Sequence, residues 1–479
     1  MVLGLRAIVL GVSIASAAAT GCQTTELSGH SRPDAPMPTV GDPSVGTASV
    51  AHASDGASSI VLAADVSSAG LKTGRPLTIA DLEQIALTHN PTLVQAAALV
   101  DAANGKAVQA GLPFNPTAGI AGEQIGAARR AGEWTWFSLQ QEIVTGGKLR
   151  LSRQKYELEA ELAEIQAQVQ RLKVVNALAA GYFDVLATQR SVENARRLAE
   201  NAKEAGNVTQ QLLNLGQANE QDQLQAQVEA SQARVTLRTT EARLRQDWVN
   251  LGTLVGVPDL PQQPLAGKLE PDGQPLSRAE SLARLLQESP ELAFAVAKVK
   301  QDQVQLQRER REPIPNITVR GGVGYNYETR NPVAGVGLFL PIPVFDRNQG
   351  TVRQAAADLV RAQAEVTRVQ LDLRRRFADA FTRYETAREE VENFRDQALP
   401  KARKAEELYS EQFKARRAAF PQVLVARRTV YQLDDEYNKS LAKFRRAEVE
   451  VRGLLLVDGL TSPPTPTPSG HIDATPKPR

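Results

Sequence analysis

A segment that opens LTIADLEQIALTHNPTL at Leu77 returns as LSRAESLARLLQESPEL at Leu276. The register holds downstream. Pro116, in FNPTAGIAG, lies opposite Pro315, in PIPNITVRGG, at an offset of 199. LGQANEQDQLQAQ, from Leu215, lies opposite ARRAAFPQVLVAR, from Ala415, at an offset of 200. A period this long is no solenoid module. It implies one architecture built twice, with pseudo-two-fold symmetry.

Each copy orders its patterns alike. A first helix is expected over 78–111 and again over 278–311. Strand-like runs follow, 116–126 with 134–145, and 316–327 with 333–344. In the third run Ile317, Val319, Val323, Tyr325 and Tyr327 share one face, and Thr318, Arg320 and Asn326 the other. Trp134, Trp136 and Phe137 cluster in the second run. Runs of about ten residues suit tilted strands that cross a membrane. Long helices come next. No proline separates Pro116 from Pro258, and Leu158, Leu162, Ile165, Val169 and Leu172 form a coiled-coil seam. A helix from Gly147 to Leu213 would run roughly 100 Å at 1.5 Å per residue. The chain then turns at Gly216 and returns to 256. In the second copy a helix over 350–413, which Pro400 should kink, turns near Arg416 and Arg417 and returns to 457.

The passage LPIPVFDRNQG, Leu340–Gly350, joins strand to helix. Pro341 and Pro343 cannot donate to a ladder and should end the fourth strand. Asp346 and Asn348 are candidate helix caps, and Gly350 is expected to allow close packing. Pro116 and Pro315 mark the ascending joints, and TGGK at 145–148 serves the first copy.

The N-terminus has Arg6 and then an apolar run from Ala7 to Ala19, too short to span a bilayer, which reads as an export signal over 1–21. Cys22, the only cysteine, follows Ala19, Thr20 and Gly21 and resembles the acylated cysteine of a bacterial lipobox, although Ala19 stands where Leu is usual. The domain layout is then a lipidated N-terminus and flexible tether (22–74), a first repeat (75–257), a linker (258–275), a second repeat (276–457) and a Pro/Thr-rich tail (458–479). With 56 basic and 54 acidic residues the net charge is only +2, which argues against a nucleic-acid partner. HExxH, Walker A, CxxC and GxSxG motifs are absent, so the chain reads as a non-enzyme without cofactor or metal. His89 has no ligand partner at helical spacing and reads as a helix-end residue.

Two hairpins in lipid leave open edges, and four strands cannot close around a lumen, so identical chains must join their sheets. Here the sequence resembles the outer membrane efflux family, the TolC-like outer membrane factors. The duplicated unit, the THNPTL and ESPEL starts, the NP and PIPN joints and the tip motif from Gly216 to Gln227 carry the resemblance over 77–457. LPIPVFDRNQG is most similar to the cation-efflux branch of the CzcC type. The resemblance implies a mainly α fold with a transmembrane β-barrel portion. It implies a homotrimer, with a 12-stranded barrel in outer membrane lipid on a 12-helix periplasmic tunnel. Its partners would be a periplasmic adaptor protein and an inner-membrane pump of the RND type. The function implied is a passive exit duct for metal cations or drugs. The alternative is a non-conducting coiled-coil protein that bridges the envelope.

In that family acidic residues near the tips line the tunnel entrance. Asp222 keeps the acidic position in the first copy, whereas the second has Gln422 and Val425. Lys414, Arg416, Arg417, Arg427 and Arg428 crowd there, with Glu406, Glu407 and Glu411 as counter-charges. The entrance is therefore expected to be basic, against a plainer reading of solvated helix charges.

The lipobox reading predicts that labelled fatty acid fed to cells enters the wild-type protein and not Cys22→Ser. Equal labelling of both would remove the lipid anchor.

Overall fold

The computed structural model describes residues 75–125, 131–271, 273–327, 329–415, 417 and 420–464. Cys22, the signal and tether, Arg416 and the tail beyond 464 lie outside the described residues. The element order repeats. First come α1 (Ile79–His89), α2 (Pro91–Gly111), β1 (Thr117–Ile125), β2 (Ala131–Ile143), α3 (Lys148–Asn214) and α4 (Glu220–Val255). Then come α5 (Arg278–Glu288), α6 (Pro290–Arg311), β3 (Ile317–Asn326), β4 (Asn331–Phe339), α7 (Gln349–Asn393), α8 (Leu399–Lys414) and α9 (Phe420–Arg452).

The first helix of each repeat, expected as one piece, is two. The breaks fall at Asn90 and Ser289, where ψ is 119° in both. The cause is the following proline, which clashes with an α-conformation at the residue before it and is itself well suited to N1. Asn90 makes the break useful. Its Oδ1 accepts from the Thr92 amide (2.9 Å), and its Nδ2 donates to the Leu254 carbonyl (2.8 Å) at the end of α4. Upstream, Thr78 and Asp81 form a capping box on α1, and those hydrogen bonds hold the Asp81 carboxyl below its usual range.

Helix α3 has 67 residues, about 100 Å. The coiled-coil seam assigned to it is offset. Of its five positions only Leu162 is fully buried. The contacts fall instead on Tyr156, Ala160 and Ala163, because the neighbour α2 presents alanines, Ala103, Ala107 and Ala110, that let the two helices approach closely. Pro400 is accommodated without ending the helix. A turn of π-helix over Phe394–Ala398 precedes it, in which the Leu399 amide donates to the Phe394 carbonyl and the hydrogen-bond register shifts just before the amide that proline lacks.

Two cores form, one centred on each repeat. Leu82, Val174, Leu178, Tyr182, Trp248 and Leu251 make the first; Leu373, Phe377, Phe381, Tyr384, Leu441 and Phe444 make the second. Burying a ring such as Phe381 contributes roughly 1.5–3 kcal/mol. The segment between the repeats is more than a linker. Leu265 bridges Leu77 in parallel, the Trp248 indole donates to the Leu260 carbonyl (2.7 Å), and Arg445 donates to the Leu269 carbonyl (2.9 Å). The start of the tail also packs, since Gln170 donates to the Gly459 carbonyl (3.0 Å).

The two hairpins join into one antiparallel sheet of order β1-β2-β3-β4. One half of the helical layer runs α2, α3, α6, α7. The other runs α4, α3, α9 and then α7 with α8. Neither layer closes on itself: the sheet ends at β1 and β4, and the helices at α2 and α7 and at α4 and α8. Among the described residues, no helix is long and apolar enough to cross a membrane.

Gly256 ends α4 with φ 86°, and a Cβ there would lie 2.6 Å from the His89 carbonyl oxygen. Gly256→Ala is therefore expected to cost roughly 1–3 kcal/mol, read as a lower denaturation midpoint of the purified protein. An unchanged midpoint would contradict this contact.

Candidate functional site

The sheet has two unlike faces, and the register decides which residue lies on which. Ile120 pairs with Phe137, Phe137 with Val323, and Val323 with Ala334. Cross-strand partners share a face. That face carries Ala118, Ile120, Phe137, Leu139, Ile143, Ile317, Val319, Val323, Tyr325, Val336 and Leu338, with the polar Gln141 among them. It is open to the surroundings: Ile120 is 79% exposed and Val336 85%. Trp136 and Phe137, grouped in the sequence reading, fall on opposite faces because strand residues alternate.

The other face is polar and glycine-rich. It carries Thr117, Gly119, Ser138, Gln140, Glu142, Thr318, Arg320, Gly322, Gly335 and Gly337. Arg320 donates to Gln140 Oε1 (3.2 Å), and its guanidinium lies 5.8 Å from the Phe339 ring centre. Trp136 lies flat over glycines, for a Cβ on Gly335 would come within 2.7 Å of its indole.

The joints tie the repeats together. Pro116 stands immediately before β1 and Pro315 two residues before β3. Thr145 Oγ1 donates to the Pro315 carbonyl (2.5 Å), Lys148 Nζ to the Ile314 carbonyl (2.8 Å), and Asn316 Nδ2 to Glu142 Oε1 (2.7 Å). Gly146 and Gly147, with φ of 69° and 71°, make the bend. Burial pushes the Lys148 ammonium below its usual range, partly opposed by Glu312.

At the fourth joint, pairing stops at Phe339, two residues before Pro341 and four before Pro343. The expected caps act differently. Asp346 Oδ1 accepts from the Asn348 amide (2.9 Å), an Asx turn one step before the helix rather than a cap on it. Asn348 occupies the N-cap with φ 57° and makes no capping bond. Its Nδ2 instead donates to the Glu309 carbonyl (2.9 Å) and to Glu309 Oε2 (2.7 Å). Gly350 does not serve close packing within the chain, since a Cβ there meets open space.

Sequence reasoning missed the centre of this joint. Arg308 and Glu309 pair at 2.5 Å, with side chains only 6% and 3% exposed. Arg308 Nε also donates to Ser152 (3.0 Å) on α3, and Gln305 to Glu309 (2.8 Å). The pair thus pins α3, α6 and the start of α7 at one level. The run QRERREPIPN reads as an ordinary charged helix end, and only folding reveals which charges turn inward.

The first tip runs Leu215–Asn219. Gly216 has φ 68°, and Gln217 donates to the Leu212 carbonyl (2.8 Å), closing α3. Asp222 is a cap. It forms a capping box with Asn219, whose Oδ1 accepts from its amide (2.8 Å). At the second tip the Arg417 amide donates to the Gln412 carbonyl (2.8 Å). Gln422, Val425 and Arg428 are exposed, and Arg427 pairs with Glu406 at 3.2 Å. Between tip and sheet, Asp184, Thr188, Ser191, Arg243, Tyr431, Asp435 and Asn438 line a polar groove of α3, α4 and α9. It lies on the face of α3 opposite Gln189 and Arg190, which bond the inter-repeat segment. Burial lifts the Asp184 carboxyl above its usual range, against the lowering effect of its ion pair with Arg446.

A two-faced sheet fused through a rigid joint to helices of this length has known counterparts. The family described as outer membrane efflux protein matches residues 82–257 and 282–455. The cobalt-zinc-cadmium resistance protein CzcC of Cupriavidus metallidurans is 26% identical over 381 residues, covering 79% of this chain and 90% of that one. The pyoverdine export outer membrane protein OpmQ of Pseudomonas putida is 25% identical over 389 residues, covering 74% and 80%. The outer membrane protein VceC of Vibrio cholerae shares the fold, with a TM-score of 0.64 and 18% identity over 79% of this chain and 96% of that one. With both repeats matched by the family, each around its own hairpin and long helices, the chain belongs to the outer membrane efflux proteins.

Proposed function

We propose that the protein is the outer membrane exit duct of a tripartite export system. Three copies would close a 12-stranded barrel above a 12-helix periplasmic tunnel, and Cys22 would add a lipid anchor. The observation that carries this reading is the apolar outer face of an open sheet, joined rigidly to helices that could span the periplasm. A non-conducting coiled-coil bridge has no use for such a face.

The edges support self-association. Strands β1 and β4 each have one neighbour, and unpaired backbone groups in lipid cost several kcal/mol each. The edge helices carry exposed apolar side chains among their polar ones: Val94 and Val108 on α2, Leu224, Val228 and Val235 on α4, and Val360 and Leu371 on α7. On α4 the exposed Leu224, Val228 and Val235, with Ser231 between the last two, follow a heptad spacing, the pattern of a seam that another helix could cover.

The duct would receive its cargo from a periplasmic adaptor and an inner-membrane pump of the RND type. Relatives of similar identity are named for metal resistance and for pyoverdine export, which supports placing cargo choice in the pump rather than in the duct. On this reading the cargo is metal cations or drugs. The polar groove through Asp184 and Asp435 would face the tunnel interior, where a wetted wall suits passage of solutes.

Two measurements test the reading. Pro341→Val with Pro343→Val restores two ladder donors and lets β4 run on past its edge. Fewer assembled trimers and lost export are expected, and normal yield and export would contradict the joint's role. Purified protein in a planar bilayer under a salt gradient is expected to conduct with an anion preference set by the basic second tip. Changing Arg416, Arg417, Arg427 and Arg428 to Gln should shift the reversal potential towards cations. No conductance would sink the duct. A cation preference unchanged by the four substitutions would leave only solvated helix charges.

A further inference from the structure

We propose that Leu340–Phe345 forms an apolar collar that takes lipid acyl chains at the periplasmic edge of the membrane. This rests on the sheet being a membrane wall. Leu340 and Ile342 keep the parity of Val336 and Leu338, so the line of apolar side chains runs on past the last ladder pair, Thr318 with Phe339, until a tight turn at Pro343 leads into Val344 and Phe345. All are open: Leu340 is 54% exposed, Ile342 76%, Val344 58% and Phe345 90%. An apolar column that large is not left to water without a purpose.

The backbone suits the place. Pro341 and Pro343 have no amide hydrogen, and the Val344 amide donates to the Ile342 carbonyl (2.8 Å). The segment therefore brings fewer unpaired donors to the hydrocarbon boundary than six ordinary residues outside a ladder would, and each one spared matters there. The apolar run then stops abruptly at Asp346, Arg347 and Asn348. Asn348 is held to Glu309 at 2.7 Å, so the collar is mounted on the buried joint and cannot drift in depth.

The first repeat has no equivalent. After Ile143 only Val144 precedes Thr145 and Lys148, and both of those bond back to the 314–315 carbonyls. The collar thus occurs once per chain. Lipid, rather than a second copy, is the occupant because Leu340 and Ile342 continue the column on the sheet's face. A neighbouring strand would add at its edge, in the plane, and leave that face uncovered.

The test uses full-length protein carrying Cys22→Ser, with one nitroxide label, in phosphatidylethanolamine–phosphatidylglycerol vesicles. Labels go on Val336→Cys, Ile342→Cys and, at the exposed tip, Gln422→Cys. Collision with oxygen reports lipid, and collision with a water-soluble nickel chelate reports water. The oxygen-to-nickel ratio at 342 is expected to match that at 336 and to exceed that at 422 severalfold. A watery 342 beside a lipid-like 336 overturns the collar and leaves the membrane wall standing. Water at both positions removes the wall as well. Protection from both reagents at 342 places a second copy there and overturns the collar. If Ile342→Cys fails to assemble, Phe345→Cys carries the label under the same criteria.

Discussion

Strands β1 and β4 each have a neighbour on one side only, and this governs the rest of the molecule. A sheet with an apolar face belongs in lipid, and lipid offers no partner for the amides and carbonyls of an open edge. The sheet alone is therefore an incomplete object. The helical layer is incomplete in the same sense, ending in α2 and α7 towards the sheet and in α4 and α8 towards the tips. Sheet and helices run out of partners at the same borders, so a single mode of association can complete both.

That association requires sheet and helices to keep one relative geometry. The buried Arg308–Glu309 pair supplies the constraint, with Asn348, Ser152 and Gln305 satisfying its remaining polar atoms. Such a pair is weak evidence for net stability, because removing two charges from water offsets much of their attraction. Its value here is positional. It fixes where the three long helices leave the sheet, and the bonds from Thr145 and Lys148 to the 314–315 carbonyls fix the first hairpin to the second. The two repeats are stitched again lower down, by Asn176 on the Gly453 carbonyl and by Arg446 on Asp184.

Local rules read from the residues failed where two elements competed for one group. Asp346 and Asn348 are good helix caps by composition, yet Asp346 turns the chain early and Asn348 spends its amide on Glu309. Asp222, read from the sequence as the acidic position of the first tip, also has a local task, a capping box with Asn219. The seam through Leu158 and Ile165 lost its place to alanines, because α2 could come closer to a small surface than a leucine ridge allows.

The sequence by itself determined the duplication, the alternation of the strands, the length of α3 and the places where helix must give way, since these follow from periodicity and proline within one short window. Even the breaks at Asn90 and Ser289 were written there, in the proline that follows each. Only the tertiary structure decided that the two hairpins pair with each other through β2 and β3, which charges turn inward at the joint, and how the inter-repeat segment locks the cores. Such contacts join residues far apart in the chain; Arg320 and Gln140, for one, stand 180 positions apart. A side chain carries its chemistry in the sequence, but its partner is chosen only when distant segments are brought within hydrogen-bond reach.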